Sequence, residues 1–346
     1  MWVISVRNVN DALAEGIVLM HEEGEAMDSR VGSTLEIPAP VSTVYHNPWE
    51  RVLLNESRDA NPFFHLMESM WILAGRQDVK FLTEFNKRMG DYSDDGEVFN
   101  APYGYRLRNG IGDPFNDRYQ KLDQLQAVID ILRTDPNSRQ AICQIWDPED
   151  LKKKTLDKAC NMSIVFRIRN GKLCITVYNR SNDMIWGAYG ANVVQFSMIQ
   201  EYVAAHLDIP VGTYTQVSNA FHVYTSGPGG DLWARLTDGE VIDDLKEASK
   251  AYDDFKHLTL MSSSDMSFFE HDLKQFFNVY DDLGIEELGE ITYWESAYFS
   301  DLVMPMLSVF LVHKKHGAKE ALKYVQAIKA DDWMHACTDW LSKRIK

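Results

Sequence analysis

The sequence predicts an α+β fold, with strands concentrated before residue 230 and helices after it. Three observations predict it. Asn170-Gly171 separates two alternating segments, 163–169 and 172–179, and such a pair suits a two-residue type I′ turn because both positions need positive φ. Apolar residues recur at helical spacing over 9–23 and 193–206. Beyond Ser226-Gly227-Pro228-Gly229-Gly230 the pattern becomes mainly helical and rich in Asp, Phe, Tyr and Leu. Segregated strands and helices indicate α+β rather than a repeating βα order. We expect a catalytic domain over 1–230 and a mainly helical C-terminal region over 231–346 packed on it, with the Gly-Pro-Gly-Gly stretch as the boundary.

The elements follow in order. Residues 9–23 read as a helix capped by Asn10 or Asp11, with Ala12, Leu13, Ile17, Val18 and Met20 on its apolar face. Residues 41–46 and 51–54 look extended. Asn61-Pro62 opens a segment, 63–74, that is apolar nearly all round and so predicts a buried helix. A helix over 78–90 and an amphipathic one over 118–133 follow, the latter ended by Thr134-Asp135-Pro136-Asn137. Residues 141–146 form a short strand and lead into the hairpin, whose Ile164, Phe166, Ile168, Leu173, Ile175 and Val177 define one buried face. Residues 213–224 are extended again, and 304–313 and 318–328 are helical.

Composition narrows the function. The chain has 346 residues and a net charge of −16, from 35 basic and 51 acidic residues. Nucleic-acid binders usually present a basic surface, so a large DNA or RNA footprint is disfavoured, whereas a small phosphorylated ligand held by a few arginines is not. No stretch approaches the length of a membrane span, and the start lacks a secretory pattern, so a cytoplasmic location is expected. The four cysteines, Cys143, Cys160, Cys174 and Cys337, form no CxxC pair. We expect no metal site, and buried thiols at 143, 174 and 337.

Four groups of residues carry chemistry. Cys160 stands at the entrance of the first hairpin strand, near Lys158, where a thiol faces either a cavity or the core. Glu68 lies inside the apolar helix, and burial would raise its pKa toward that of a neutral-pH acid–base group; a structural ion pair is the alternative. Asn179-Arg180-Ser181-Asn182-Asp183 places a guanidinium beside a hydroxyl, a pair suited to phosphate or to an ordinary polar loop. His222 and Tyr224, two apart on an extended segment, share a face.

Together, in this order and spacing, these residues resemble the thymidylate synthase superfamily, which includes deoxynucleotide hydroxymethylases, over roughly residues 25–225. The resemblance implies a large twisted mixed β-sheet with helices on one face, a helical C-terminal extension, and a sheet-to-sheet homodimer with composite sites. It implies Cys160 as the nucleophile at pyrimidine C6, Glu68 in Glu68-x-x-Trp71 acting with water at O4, and Tyr103 in Pro102-Tyr103-Gly104 assisting loss of the C5 proton. Arg30, Arg180, Ser181 and a partner-donated Arg139 would hold the phosphate; a second arginine usual after Arg139 is Gln140. Asn192 would read uracil, in a Gly187–Asn192 segment one residue longer than usual. His222 and Tyr224 would hold the sugar hydroxyl, and Asp183 would lie near the pterin.

The implied cofactor is 5,10-methylenetetrahydrofolate and the implied partner is dUMP. Departures bear on the product. There is no Trp in 85–92, Asn161 replaces a His after the nucleophile, Asn219-Ala220-Phe221-His222-Val223-Tyr224 replaces the usual Asp-x-His-x-Tyr, and the C-terminus lacks the family's closing residues. A less sealed site admits water. The expected activity is therefore deoxyuridylate hydroxymethylation, of a phage type acting in a host cytoplasm. Thymidylate synthesis, dCMP hydroxymethylation and a non-catalytic nucleotide-binding relative are the alternatives.

Overall fold

The computed structural model describes residues 1–29, 32–111, 121–237, 239–260 and 266–345. Its centre is a six-stranded mixed sheet made of β1 (Trp2–Val6), β4 (Val41–Tyr45), β5 (Ile142–Gln144), β6 (Asn161–Arg169), β7 (Lys172–Asn179) and β9 (Val211–Ser218). Their order across the sheet is β1-β4-β9-β7-β6-β5. A smaller sheet joins β2 (Glu25–Ser29), β3 (Gly32–Glu36), β10 (Phe221–Tyr224) and β8 (Asn182–Asp183), in that order. The expected mixed sheet with helices on one face is present.

Register decides which face is covered. One row across the six strands runs Cys143, Ile164, Val177, Gln216, Thr43 and Ile4, every one of them buried. The adjacent row, Ile142, Val165, Thr176, Thr215, Val44 and Ser5, is exposed or half-buried. A period of two sends neighbouring rows to opposite faces. Helices α1 (Val9–Glu23) and, later, α6 (Asn192–His206) pack on the first, and α2 (Pro62–Leu73) packs on α6. Gln200 pins α6 by donating to the carbonyls of Leu173 at 2.7 Å and of Gly212 and Thr213 at 3.2 Å.

Local chemistry accounts for most boundaries. Asn170 and Gly171 have φ of 51° and 72°, as the type I′ turn requires. Asn8, rather than Asn10 or Asp11, caps α1, its side chain accepting from the amides of residues 10 and 11. The expected helix at 78–90 divides into α3 (Val79–Phe85) and a 3₁₀ turn, Lys87–Tyr92, because Asn86 leaves helical geometry and caps the second piece. Residues 51–54 are irregular rather than extended. The extended run 213–224 breaks at Asn219-Ala220, so β9 and β10 belong to different sheets. The Gly-Pro-Gly-Gly stretch is no linker: it opens α7 (Gly227–Leu236) with Pro in the first turn, where its fixed φ and missing N–H are harmless. Gly229 is required there, since a Cβ would lie 2.6 Å from that of Tyr224.

Between these lie α4 (Tyr103–Asn109) and α5 (Gln124–Thr134). The helix expected at 118–133 thus starts at Gln124, capped by Asp123, and residues 118–120 of that expectation lie outside the described ones. After α7 come α8 (Gly239–Ala251), α9 (Met266–Leu283), α10 (Ile285–Gly289), α11 (Met304–His316), α12 (Ala318–Ala321) and α13 (Asp331–Ser342). The hydrophobic core is continuous across residue 230. The C-terminal helices back the two helices that lead toward the site. Phe63 of α2 meets Phe310 and Trp340, with ring centroids 5.4 Å apart in both cases. Phe81 of α3 meets Phe277 and Tyr280 at 5.0 Å. A buried Arg51–Glu201 ion pair adds a polar clamp, and the other Glu201 oxygen accepts from the Leu260 amide at 2.9 Å.

Candidate active site

A cavity of about 160 Å³ opens between α2, α4, α6 and the loop before β6. Its lining includes Glu68 and Trp71 from α2, Leu82, Met89 and Tyr92, Tyr103 at the start of α4, Asp157, and Asn192 and Gln195 from α6. Three sequence-predicted residues, Glu68, Tyr103 and Asn192, thus share one space. Asp157 and Gln195 were not anticipated. Asp157 reads as part of a solvated Lys-rich loop, and Gln195 is lost in an apolar helix.

Glu68 is 7% exposed, and burial pushes its carboxyl up to about 7. Among the described residues it has no ion-pair partner. Gln195 donates to it, opposing the shift, and its Oε2 is buried with no partner among the described residues. Such an atom is costly to keep, and here it lies in a residue that lines a cavity, where a polar ligand or water can satisfy it. The Gln195 Oε1 is likewise unsatisfied.

The Cys160 loop adjoins this space through Tyr103. The Tyr103 oxygen accepts from the backbone amides of Cys160 and Asn161. Burial, then the nearby thiol, then Asp157 hold its phenol protonated well above the usual range. Cys160 is half-buried, whereas Cys143, Cys174 and Cys337 are buried and all four are unbridged. The Arg180 guanidinium lies 3.7 Å from the Cys160 Sγ and donates to the carbonyls of Ala159 at 2.9 Å and Lys158 at 3.1 Å. Arg180 therefore fixes the loop and supplies the positive field that favours a thiolate. Its Nη1 makes no hydrogen bond among the described residues. Asn161, completely buried, bonds the Asn179 side chain.

Asn192 connects the cavity to a second group. Its Nδ2 donates to the Asn182 Oδ1 at 3.0 Å, which fixes the amide orientation by leaving its own Oδ1 on the other side. Asn182 sits between half-buried Ser181 and half-buried Asp183 on β8. Asp183 pairs in register with His222 of β10 and caps the following turn, accepting from the Trp186 amide at 2.5 Å. Its carboxyl is raised by burial, against the pull of those amides, His222 and Arg58. The His222 and Tyr224 rings stand perpendicular, 5.4 Å apart. Arg58, missed in the sequence, is buried and donates to the Ile185 carbonyl at 3.2 Å; desolvation lowers it to about 10.

The extra residue before Asn192 has a structural counterpart. Residues Met184–Ala191 wind as a π-helix, and Gly190 leaves helical geometry at φ −114° and ψ −108°. A π turn takes up one more residue than an α turn and occurs often at functional sites. Asn192 still enters the cavity lining. A Cβ on Gly190 would lie 2.8 Å from the Ile185 carbonyl oxygen and 3.1 Å from Arg58.

Cys160, Arg180, Ser181, Asp183, His222 and Tyr224 are not among the residues that line the cavity, and neither is Arg139. Arg139 is exposed in the loop before β5; Arg167 braces that loop through the Asn137 and Ser138 carbonyls. Arg30 falls outside the described residues. Among the described residues no cluster suits a metal ion and no helix is long and apolar enough to cross a membrane.

A half-buried thiol beside a guanidinium, a protonated phenol, an acid poised near neutrality and an oriented carboxamide suit covalent addition to a polar heteroaromatic ring. Comparison with known proteins agrees. The thymidylate synthase family profile matches residues 22–279. The chain is 37% identical to a deoxyuridylate hydroxymethyltransferase of Pseudomonas phage M6, over 99% of this chain and 95% of that protein. It is 40% identical to the deoxyuridylate hydroxymethyltransferase of Bacillus phage SP01, over 75% of this chain and 68% of that one. A putative thymidylate synthase of Methanosarcina barkeri is 29% identical, over 64% and 89%. On the extent of these matches, the chain belongs to the thymidylate synthase family.

Proposed function

We propose that this chain is a deoxyuridylate hydroxymethyltransferase, converting dUMP to 5-hydroxymethyl-dUMP. The observation that carries the reading is the convergence of the Cys160 loop, Tyr103, Glu68 and Asn192 on one cavity. Folate, when bound as methylenetetrahydrofolate, supplies the one-carbon unit. The residues present fit such a group: Trp71, Leu82, Met89, Tyr92 and Phe99 form an apolar wall for a flat ring, and Asp183, outside that lining, is the carboxylate we assign to its amino edge.

The chain's own groups do the rest. The Cys160 thiolate, formed beside Arg180, adds to C6 and makes C5 nucleophilic, splitting one hard step into two. Asn192 orients the ring, its carbonyl accepting from N3–H and its amide donating toward O4. Glu68, with its free Oε2 and a pKa near neutrality, exchanges a proton at O4 through water. Tyr103 assists departure of the C5 proton. Arg180 and Ser181 meet the phosphate, and His222 and Tyr224 the sugar hydroxyl.

Water rather than hydride completes the product in this reading. The wall at 82–92 presents Leu82, Met89 and half-exposed Tyr92 rather than an indole, and Phe85 turns away to pack 4.7 Å from Phe310. We also propose a homodimer. The row of Ile142, Val165, Thr176, Thr215 and Val44 is rich in β-branched residues and exposed or half-buried among the described residues, which supports a sheet-to-sheet partner, and we assign exposed Arg139, in the loop before β5, to that partner's site. The site of action is the cytoplasm, where dUMP and folate are found.

Mass spectrometry after incubation with dUMP and methylenetetrahydrofolate tests the assignment. Hydroxymethyl-dUMP with tetrahydrofolate is expected. The resemblance to the Methanosarcina protein favours a second reading, thymidylate synthesis, and dTMP with dihydrofolate as the sole products would establish it instead.

A further inference from the structure

Asp157 is the cavity group to which neither the family resemblance nor the mechanism above gives a task. It shares the cavity lining with Glu68, Trp71, Tyr103 and Asn192 and precedes Cys160 by three residues. Its Oδ2 is fixed by the Ala101 amide at 2.7 Å, and its carbonyl accepts from Asn100 at 3.1 Å and Thr155 at 3.3 Å. Its Oδ1 makes no hydrogen bond among the described residues. The carboxyl is therefore held rigidly, with one oxygen committed and one available. Its field reaches the Tyr103 phenol alongside that of the Cys160 thiol, which places it on the reacting side of the cavity. Glu68 projects from α2 and Asp157 from the nucleophile loop, so the two acids approach the ring from different elements.

We propose that the Asp157 Oδ1 receives the proton of the water molecule that adds to the C5 methylene, and that this directs the reaction to hydroxymethyl rather than methyl. The proposal rests on the hydroxymethyltransferase reading. In the step, the water oxygen bonds to the methylene carbon and its O–H breaks, the proton passing to Asp157. The methylene π electrons move to O4 as an enolate. The enolate re-forms C4=O and C5=C6 and expels the Cys160 sulfur from C6. Asp157 returns its proton to solvent. One water is consumed and no reductant is needed. Burial raises the Asp157 carboxyl above the ordinary carboxylate range, which strengthens it as a base.

The test is a single-turnover comparison of wild type with Asp157→Asn, whose amide oxygen still accepts from Ala101. With C5-tritiated dUMP, tritium release times the steps up to loss of the C5 proton, and mass spectrometry times hydroxymethyl formation. In the variant the tritium burst should keep its rate within a few-fold while hydroxymethyl formation slows about 100-fold, the usual scale for a lost general base. Added 2-mercaptoethanol should then divert the waiting methylene to a thioether. Without folate, hydroxymethyl-dUMP held in water labelled with heavy oxygen should exchange its hydroxyl in wild type and much more slowly in Asp157→Asn. Hydroxymethyl formation that keeps pace with the burst, or equal slowing of both, overturns the proposal. Wild type yielding only dTMP defeats the parent reading instead. Burst amplitude counts active sites, so partial misfolding does not blur the result.

Discussion

Replacing Glu68 by Gln should stabilise the protein at alkaline pH while sharply slowing turnover. The native carboxyl titrates near 7 against an ordinary 4.5, with burial as the main cause. That difference corresponds to about 3 kcal/mol. Its sign follows from linkage. Between 4.5 and about 7 the native state holds a proton that the unfolded chain releases, so stability falls as pH rises through this window and the whole cost is present above it. The glutamine side chain of Glu68→Gln does not titrate, and its carbonyl can still accept from Gln195. Urea unfolding of both proteins, at one protein concentration and at pH values of about 4.5 and 8.5, isolates the effect, because all other carboxylates are shared. The variant should gain about 3 kcal/mol relative to wild type between the two conditions, and lose about 10²-fold or more in turnover. A stability difference that does not change with pH, or that changes in the opposite sense, would refute the argument that Glu68 is stored in an environment hostile to its charge.

Asn192→Asp should shift base preference from uracil toward cytosine by at least about tenfold, measured with dUMP and dCMP; it should also destabilise the fold, since two oxygens would then face each other at Asn182. Arg139→Ala and Cys160→Ala should each be inactive, and mixing the two after dissociation should restore about a quarter of wild-type activity if Arg139 crosses the two-fold axis. No recovery in verified heterodimers would place Arg139 outside the site. Gly190→Ala should cost about 1–3 kcal/mol in thermal or urea unfolding, as overpacking does, because its Cβ has the Ile185 carbonyl and Arg58 for neighbours.

The parts legible in the sequence were those whose chemistry is local. Asn170-Gly171 demanded a turn with two positive φ values, and nothing distant can overrule that. The apolar run around Glu68 required burial, and the structure raises its pKa for the reason that pattern suggests. What stayed hidden depends on contacts across the chain. Asp157 sits among Lys152, Lys153, Lys154 and Lys158, a context that reads as solvent, and only its bond to the Ala101 amide, 56 residues earlier, turns it inward. The break between β9 and β10 leaves no mark in the alternation of 213–224, since Ala220 gives up its place in the sheet to bond the Arg180 carbonyl. Glycines at 227, 229 and 230 read as a domain boundary because composition alone cannot separate a flexible glycine from one such as Gly229 or Gly230, whose added Cβ would meet Tyr224 or the Thr225 backbone.

The choice between methyl and hydroxymethyl needs very little energy. Both outcomes pass through the same methylene intermediate, and a change of about 1.4 kcal/mol in the relative barriers moves their ratio tenfold. A family member can therefore change product while keeping its nucleophile, its phenol and its acid. The alterations here act on one barrier each. In the proposed mechanism, Leu82, Met89 and Tyr92 in place of an indole wall lower the cost of admitting water, and the fixed Asp157 oxygen lowers the barrier to using it. Neither touches the Cys160–Arg180 pair to which the proposed mechanism assigns addition to C6. The two changes are separable in principle: an open wall without Asp157 would leave the intermediate wet but slow to react, and Asp157 behind a closed wall would have no water to deprotonate. Their coexistence in a single cavity is why the proposed mechanism assigns this site water addition rather than leakage from a damaged methyl transfer.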